Sequence, residues 1–184
     1  MQISGIILAG GKSLRMGTDK AVLELKGQTL LEHAIEVCRS SCKTILISSN
    51  NSLHQKLGYI TIPDEIPCSG PMGGIYSCLK QSETDWNFIL SVDSPFVEPE
   101  FIQLLISQTG SFDAIVPVHR KGKEPLIAMY HKSGLAEIEK MLKSNNFKMH
   151  NLLNTINTKF VDAQKWVLKY PKLFHNINRL EDLS

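Results

Sequence analysis

The chain has 184 residues, of which 42% are hydrophobic and 21% are charged, and its formal net charge at pH 7 is +2. This length suffices for one substantial hydrophobic core and is short for two, so we predict a single domain over residues 1–184. A net charge this small gives no overall attraction to nucleic acid or to a membrane, so we expect neither as a partner.

Segments typical of strands and of helices alternate along the chain. The run 3–8 is apolar and too short for a membrane span, 30–37 has apolar residues three and four positions apart, and 43–48 is β-branched. Further strands are predicted at 60–62, 86–92, 114–118 and 126–130, and further helices at 74–79, 99–106 and 135–142. This alternation predicts an α/β fold with three layers: a mostly parallel, Rossmann-like open sheet with helices on both faces.

The loop after the first strand combines flexible backbone with positive charge. Gly10 and Gly11 lack Cβ atoms, so their N–H groups can approach phosphate oxygens closely. Arg15 and Lys20 add cations, while Lys12 is equally consistent with a solvated position at the rim. Ligands of open α/β sheets bind at the carboxyl ends of the strands, so this loop predicts a triphosphate site.

Two familiar phosphate motifs do not fit this loop. A Walker loop has four residues between its first glycine and the Gly-Lys-Ser, but five residues separate Gly5 from Gly11. The dinucleotide fingerprint G-x-G-x-x-G is missing as well, because Gly10 and Gly11 are adjacent and the next glycine is Gly17. The sequence therefore disfavours a dinucleotide-dependent reductase.

Asp93 is a second candidate functional residue. It follows a predicted buried strand and precedes Ser94-Pro95, so its carboxylate should emerge at the same sheet edge as the glycine loop. A hard divalent metal ion could there bridge the carboxylate to phosphate oxygens. The alternative is that Asp93 only caps the turn at Pro95.

These motifs together resemble the signature of the nucleotidyltransferase superfamily, and most closely that of the MobA-type molybdenum cofactor guanylyltransferases. The segment 8–20, LAGGKSLRMGTDK, is similar to the family's form almost letter for letter. GPMGGI at 70–75 resembles the second glycine loop, VDSPF at 92–96 the metal-binding turn, and NINRLEDL at 176–183 the carboxyl-terminal Asn-x-Asn segment. The matches lie in the family's order and span nearly the whole chain.

The resemblance implies an enzyme with a nucleotide-diphospho-sugar-transferase-like fold that transfers GMP from GTP to the terminal phosphate of molybdopterin and releases pyrophosphate. It implies Mg²⁺ bound by Asp93, and a cofactor-biosynthesis protein that delivers the acceptor is a further partner to consider. The implied catalytic residues are Arg15, Lys20 and Asp93. The implied nucleotide-binding residues are Leu8, Ala9, Gly10, Gly11, Lys20, Ser48, Asn50, Asp64, Gly70 and Asp93, and the implied acceptor-binding residues are Asn176 and Asn178.

The choice of base is less determined by the sequence. Guanine presents N–H donors, so its pocket needs acceptors, for which Asp64 and Asn50 are candidates. Asp64 matches an acidic nucleotide-contacting position of the family, whereas Ser48 stands where the family has asparagine. Asn50 either does related work or caps a helix.

Three functions therefore stay open. The form Leu8-Ala9-Gly10-Gly11 resembles the guanylyl branch, since the related cytidylyl branch usually reads Leu-Ala-Ala-Gly. Transfer of CMP or UMP to another phosphorylated acceptor is the nearest alternative, and a nucleotide-binding module without turnover is the next.

The cysteines and the start of the chain indicate the compartment. Cys38, Cys42, Cys68 and Cys78 form no C-x-x-C pair, and the first residues contain neither a basic leader region nor a long apolar stretch. We expect a cytoplasmic protein whose cysteines act as small apolar side chains.

Overall fold

The computed structural model describes residues 1–10 and 19–183. Within these residues the strands are β1 (Ile3–Leu8), β2 (Glu24–Leu25), β3 (Gln28–Thr29), β4 (Thr44–Ser48), β5 (Ile60–Ile62), β6 (Trp86–Ser91), β7 (Ala114–His119), β8 (Gly122–Lys123), β9 (Ile127–His131) and β10 (Thr158–Asp162). The α-helices are α1 (Leu30–Arg39), α2 (Gly70–Gln81), α3 (Pro99–Ser107), α4 (Leu135–Lys143), α5 (Met149–Thr155) and α6 (Gln164–Lys169).

Eight of these strands form one sheet in the order β10-β7-β9-β6-β1-β4-β5, with β8 paired to β7. Strand β1 lies at the centre and is parallel to both β4 and β6. Strand β9 is antiparallel to β6 and to β7, because residues 120–126 are too few for the crossover that a parallel connection requires. The predicted mostly parallel α/β fold is confirmed, and among the described strands of this sheet β9 and the short β8 run in the opposite direction.

The two faces of the sheet bury two separate apolar clusters. Along β1, Ile3 and Ile7 pack into the cluster that contains residues of α1 and α3. Ile6 and Leu8 point the other way, into the cluster that contains residues of α2 and α4. Because side chains of a strand alternate between faces, this central strand needs apolar side chains on both faces, and it is buried at every position. The result is the three-layer arrangement that the sequence predicts.

The predicted strands and helices all form, but some of their observed bounds differ from the predicted ones. Helix α2 begins at Gly70, earlier than the predicted residue 74, because Pro71 is compatible with a first helical turn. The basic segment 119–123 is a hairpin in which His119 pairs with Gly122. The hairpin β2–β3, helices α5 and α6, and strand β10 were not predicted, since their short segments carry weak periodicity.

The cysteines behave as buried or surface thiols. All four are free, and Cys38 and Cys78 are buried. Burial raises the pKa of Cys78 to about 12, and a hydrogen bond with Cys42 together with burial raises the pKa of Cys38. Thiols held in the protonated form are poor nucleophiles, which agrees with the filling role predicted for Cys38 and Cys78. The same prediction is wrong for Cys68, which is exposed. Among the described helices, none is long and apolar enough to cross a membrane.

Candidate active site

The carboxyl ends of three strands lie side by side at the centre of the sheet. Leu8, the last residue of β1, is in register with Ser48 of β4 and with Ser91 of β6. Beyond this row, the N–H of Ala9 donates to the carbonyl of Ser48 at 3.0 Å. The glycine loop after β1 and Asp93 after β6 therefore leave the sheet at one edge, as the sequence predicts.

Lys20 and Asp93 meet at this edge. The Nζ of Lys20 donates to Oδ2 of Asp93 at 2.8 Å. It also donates to the carbonyl of Ile177 at 2.9 Å and to Oδ1 of Asn178 at 3.2 Å. An ammonium has three N–H donors, so all three are engaged. The Oγ of Ser91 donates to the other carboxylate oxygen, Oδ1 of Asp93, at 2.7 Å.

These contacts fix Asp93 without hiding it. The Lys20 and Asp93 side chains are 20% and 18% exposed, so solvent reaches the pair. Among the described residues, the carboxylate accepts from Ser91 and Lys20 and not from the turn at Pro95, so the alternative turn-capping role is wrong. Gly11 and Arg15 lie outside the described residues, and the roles given to them stay predictions.

A second group of polar residues lies at the ends of β4 and β5. The Oγ of Ser48 donates to Oδ1 of Asp64 at 3.3 Å. Asn50 bonds Asp64 twice, since its Nδ2 donates to Oδ2 at 3.4 Å and its Oδ1 accepts from the backbone N–H at 3.0 Å. The alternative role of Asn50 as a helix cap is wrong, because Asn51 caps the following 3-10 turn. The three predicted base-side residues thus form one cluster.

Helix α2 approaches this cluster closely. It begins at Gly70, whose φ of +61° is a backbone conformation that favours glycine. One turn further, a Cβ on Gly74 would lie 2.3 Å from Oγ of Ser48. Only a residue without a side chain allows this contact, so the second glycine loop places the start of α2 against the end of β4.

The environment of Asp64 favours its neutral form. Partial burial raises the pKa of this carboxyl, while hydrogen bonds from Asn50 and Ser48 act in the opposite direction. Because burial penalises the charged carboxylate, Asp64 destabilises the fold when it ionises.

We expect Asp64→Asn to stabilise the fold at neutral pH while weakening nucleotide binding. The folded state binds the Asp64 proton more tightly than the unfolded state, so the wild-type free energy of unfolding falls as pH rises from about 3.9, the ordinary aspartate pKa, through the raised value. Asp64→Asn has no ionisable group at this position, so its free energy of unfolding does not fall in this way. Urea unfolding at several pH values measures it, and equal pH dependence in both proteins would contradict the assignment.

The two carboxyl-terminal asparagines contact the site rather than face open space. The Oδ1 of Asn176 accepts from Oγ of Ser94 at 2.8 Å, and Asn178 accepts from Lys20. Between them, the N–H of Ile177 donates to the carbonyl of Asp93 at 2.8 Å. These contacts fasten the segment to the Asp93 turn. Binding of the acceptor by the asparagines stays a prediction.

Several contributors to the site were missed by the sequence reading. They are Ser91, which orients Asp93, the carbonyl of Ile177, and the residues that surround the Lys20 turn, Asp19, Asn51 and His54. A serine two residues before the aspartate was the only one of these signals visible in the sequence. The others depend on contacts between distant segments.

The donor set suits a metal ion held jointly with substrate. Among residues 1–10 and 19–183, no group of three or more His, Cys, Asp or Glu side chains could hold a metal ion alone. Asp93 offers one carboxylate, and the ammonium of Lys20 already stands there as a cation. Mg²⁺ is usually held by one or two carboxylates together with substrate phosphates and water, so this site fits it.

A mostly parallel open sheet, with a glycine loop after the central strand and an aspartate at the same edge, defines a nucleotidyltransferase of Rossmann-like architecture. The profile of the MobA-like NTP transferase domain matches residues 5–158, and the chain belongs to this family. It is 33% identical to a probable molybdenum cofactor guanylyltransferase of Bacillus anthracis (strain CDC 684 / NRRL 3495), over 97% of this chain and 92% of the relative.

Solved structures agree with this assignment. The molybdopterin-guanine dinucleotide biosynthesis protein A of Archaeoglobus fulgidus superposes with a TM-score of 0.84 at 26% identity, covering 98% of this chain and 94% of that one. The 4-diphosphocytidyl-2C-methyl-D-erythritol synthase of Anaerococcus prevotii superposes with a TM-score of 0.73 at 16% identity, covering 99% and 92%. The second similarity concerns the fold alone.

Proposed function

We propose that this nucleotidyltransferase transfers GMP from GTP to the terminal phosphate of molybdopterin and releases pyrophosphate. The observation that carries the proposal is the contact between Lys20 and Asp93 beside the end of β1, where a cation and a metal-binding carboxylate can act on one polyphosphate. The guanine and the molybdopterin are proposed from the names of the Bacillus anthracis relative and of the Archaeoglobus fulgidus protein.

The two polar clusters of the site would contact different parts of the nucleotide, one the base and ribose and the other the triphosphate. Asp64, Asn50 and Ser48 provide carboxylate, amide and hydroxyl oxygens, which can accept from the N–H donors of a guanine or its ribose. Lys20 and Asp93 lie on the other side of the β1 end, where the triphosphate would extend past the backbone of Ala9 and Gly10. In this arrangement the α-phosphate would lie on the Asp93 side of the edge.

We also propose that Asp93 holds Mg²⁺ together with the triphosphate. When bound, the ion neutralises phosphate charge and so stabilises the transition state. With such an ion on Asp93, the ammonium of Lys20 would contact the phosphate oxygens in place of the carboxylate, because two cations at one carboxylate repel each other. The carbonyl of Ile177 and the amide of Asn178 keep the ammonium near the phosphates during this exchange.

Transfer itself needs positioning and charge stabilisation more than proton removal. An acceptor phosphate has a second pKa of about 6, so it is largely dianionic near neutral pH and attacks without a strong general base. Its oxygen forms a bond to the α-phosphorus while the bond from that phosphorus to the bridging oxygen breaks, and pyrophosphate leaves. Lys20 stabilises the charge that develops on the phosphates.

A panel of nucleotides tests the proposal. With purified molybdopterin and Mg²⁺, we expect GTP to give a nucleotide-linked product and stoichiometric pyrophosphate, and CTP, ATP and UTP to react at least about a hundredfold more slowly. The reason is that a site built to pair with N–H donors leaves its acceptors unpaired when the wrong base binds. Preferred use of CTP would move the enzyme to the cytidylyl branch and contradict the guanine assignment.

A further inference from the structure

Asp19 is held by groups from two parts of the chain. Its Oδ1 accepts from the backbone N–H of Ala21 at 3.0 Å, which caps the 3-10 turn Lys20–Val22. Its Oδ2 accepts from Nδ2 of Asn51 at 2.8 Å, and Nε2 of His54 lies 3.1 Å from the same oxygen. The residue next to Lys20 is therefore tied to a segment more than thirty positions later.

His54 is unusual for a histidine of a short surface turn. Its side chain is 3% exposed. Among residues 1–10 and 19–183, neither ring nitrogen has an aligned hydrogen-bond partner, although Nε2 is at ion-pair distance from Asp19. A buried polar group without a hydrogen bond destabilises the fold, so packing alone does not explain a histidine at this position.

The turn that carries His54 is itself well anchored. The Oδ1 of Asn51 accepts from the N–H of Leu53 at 3.0 Å and caps the 3-10 turn Ser52–Leu57. This turn directly follows β4, whose end carries Ser48 and, two residues on, Asn50. A contact from His54 to Asp19 thus joins the base side of the site to the turn that presents Lys20.

We propose that His54 is a positioning residue of this enzyme. Its imidazole holds the Asp19 carboxylate, and through Asp19 it fixes the turn that carries Lys20 at the distance from the base side that a nucleoside triphosphate requires. The inference rests on the proposed role of Lys20 in binding the triphosphate. The 3.1 Å between Nε2 of His54 and Oδ2 of Asp19 lies within the range of hydrogen-bond distances.

Two substitutions of similar size test this role. His54→Leu removes the donor, whereas His54→Gln places an amide N–H near the position of Nε2. We expect His54→Leu to weaken binding of GTP with Mg²⁺ about tenfold by calorimetry, because the Asp19 carboxylate then loses its contact with Nε2 of His54. His54→Gln should restore most of this affinity, and His150→Leu, at an exposed histidine, should have none of the effect.

Hydrogen exchange gives a readout that needs no nucleotide. In His54→Leu the N–H of Ala21, which donates to Asp19, and the N–H of Leu23, which donates to the carbonyl of Lys20, should exchange faster than in wild type and in His54→Gln. Amides of the central strand β1 should keep their protection in all variants.

Three outcomes would overturn the inference. Wild-type affinity and exchange in His54→Leu would show that the contact does not matter, and equal losses in the leucine and glutamine variants would show a packing role only. Faster exchange in β1 would indicate general destabilisation. If Lys20→Met binds GTP as tightly as wild type does, the proposed role of Lys20 in triphosphate binding is wrong. Hydrogen exchange at Ala21 and Leu23 still decides whether His54 holds the turn.

Discussion

Replacing Asp93 by asparagine is expected to lower kcat by about a hundred- to a thousandfold while the fold stays intact. The substitution keeps the size of the side chain and can still accept from Ser91, but it removes the negative charge that would hold Mg²⁺ against the triphosphate. Loss of one interaction that stabilises developing charge typically costs about 2.7–4 kcal/mol of the barrier. The remaining activity should require far higher Mg²⁺.

Steady-state kinetics at increasing Mg²⁺ measure this effect, and thermal unfolding of the free protein checks the fold. Asp85→Asn is a matched control, because Asp85 is exposed and immediately precedes β6, at the opposite end of the strand from Asp93. Wild-type turnover in Asp93→Asn at ordinary Mg²⁺ would show that the carboxylate does not serve the reaction.

Replacing Lys20 by methionine is expected to lower kcat/KM by a comparable factor, about a hundred- to a thousandfold. The apolar side chain fills similar space but cannot donate to the phosphates, and it leaves the Asp93 carboxylate without its cation. The stability of the free protein should change by about 1 kcal/mol or less, because an ion pair between partly exposed side chains contributes little.

The matched control is Lys80→Met, which breaks the 2.7 Å ion pair with Glu65 on the outer side of α2. That variant should keep wild-type kinetics. If Lys20→Met loses stability in proportion to its loss of activity, or if the control is equally inactive, the catalytic assignment of Lys20 is contradicted. A direct measurement of GTP affinity separates ground-state binding from an effect on turnover.

The layers of the fold could be predicted because the sequence repeats local patterns. The run 3–8 is apolar on both faces, as a central strand must be, and the spacing in 30–37 fits one buried helix face. The direction of β9 was not predicted, since periodicity says nothing about which way a strand runs. It follows from the short connection through β8.

The site could be predicted in part for a different reason. Lys20 and Asp93 lie next to glycine-rich or proline-containing turns that follow apolar strands, so their types and places can be read locally. The contacts that orient them are not local, since Asn178 is 158 positions from Lys20 and His54 is 35 positions from Asp19. Because of this separation, the sequence predicted only an acceptor-binding role for Asn178 and not its hydrogen bond with Lys20.

The sequence by itself determined the alternation of strands and helices, the glycine loop after the first strand, and the position of Asp93 after the fourth predicted strand. These features depend on neighbouring residues and on the period of the apolar pattern. Only the tertiary structure decided which charges meet. Lys20 contacts Asp93, Ser48 contacts Asp64 and His54 contacts Asp19 because parallel strands bring their carboxyl ends to one edge of the sheet. Such contacts follow from strand order and register, which no single stretch of sequence determines.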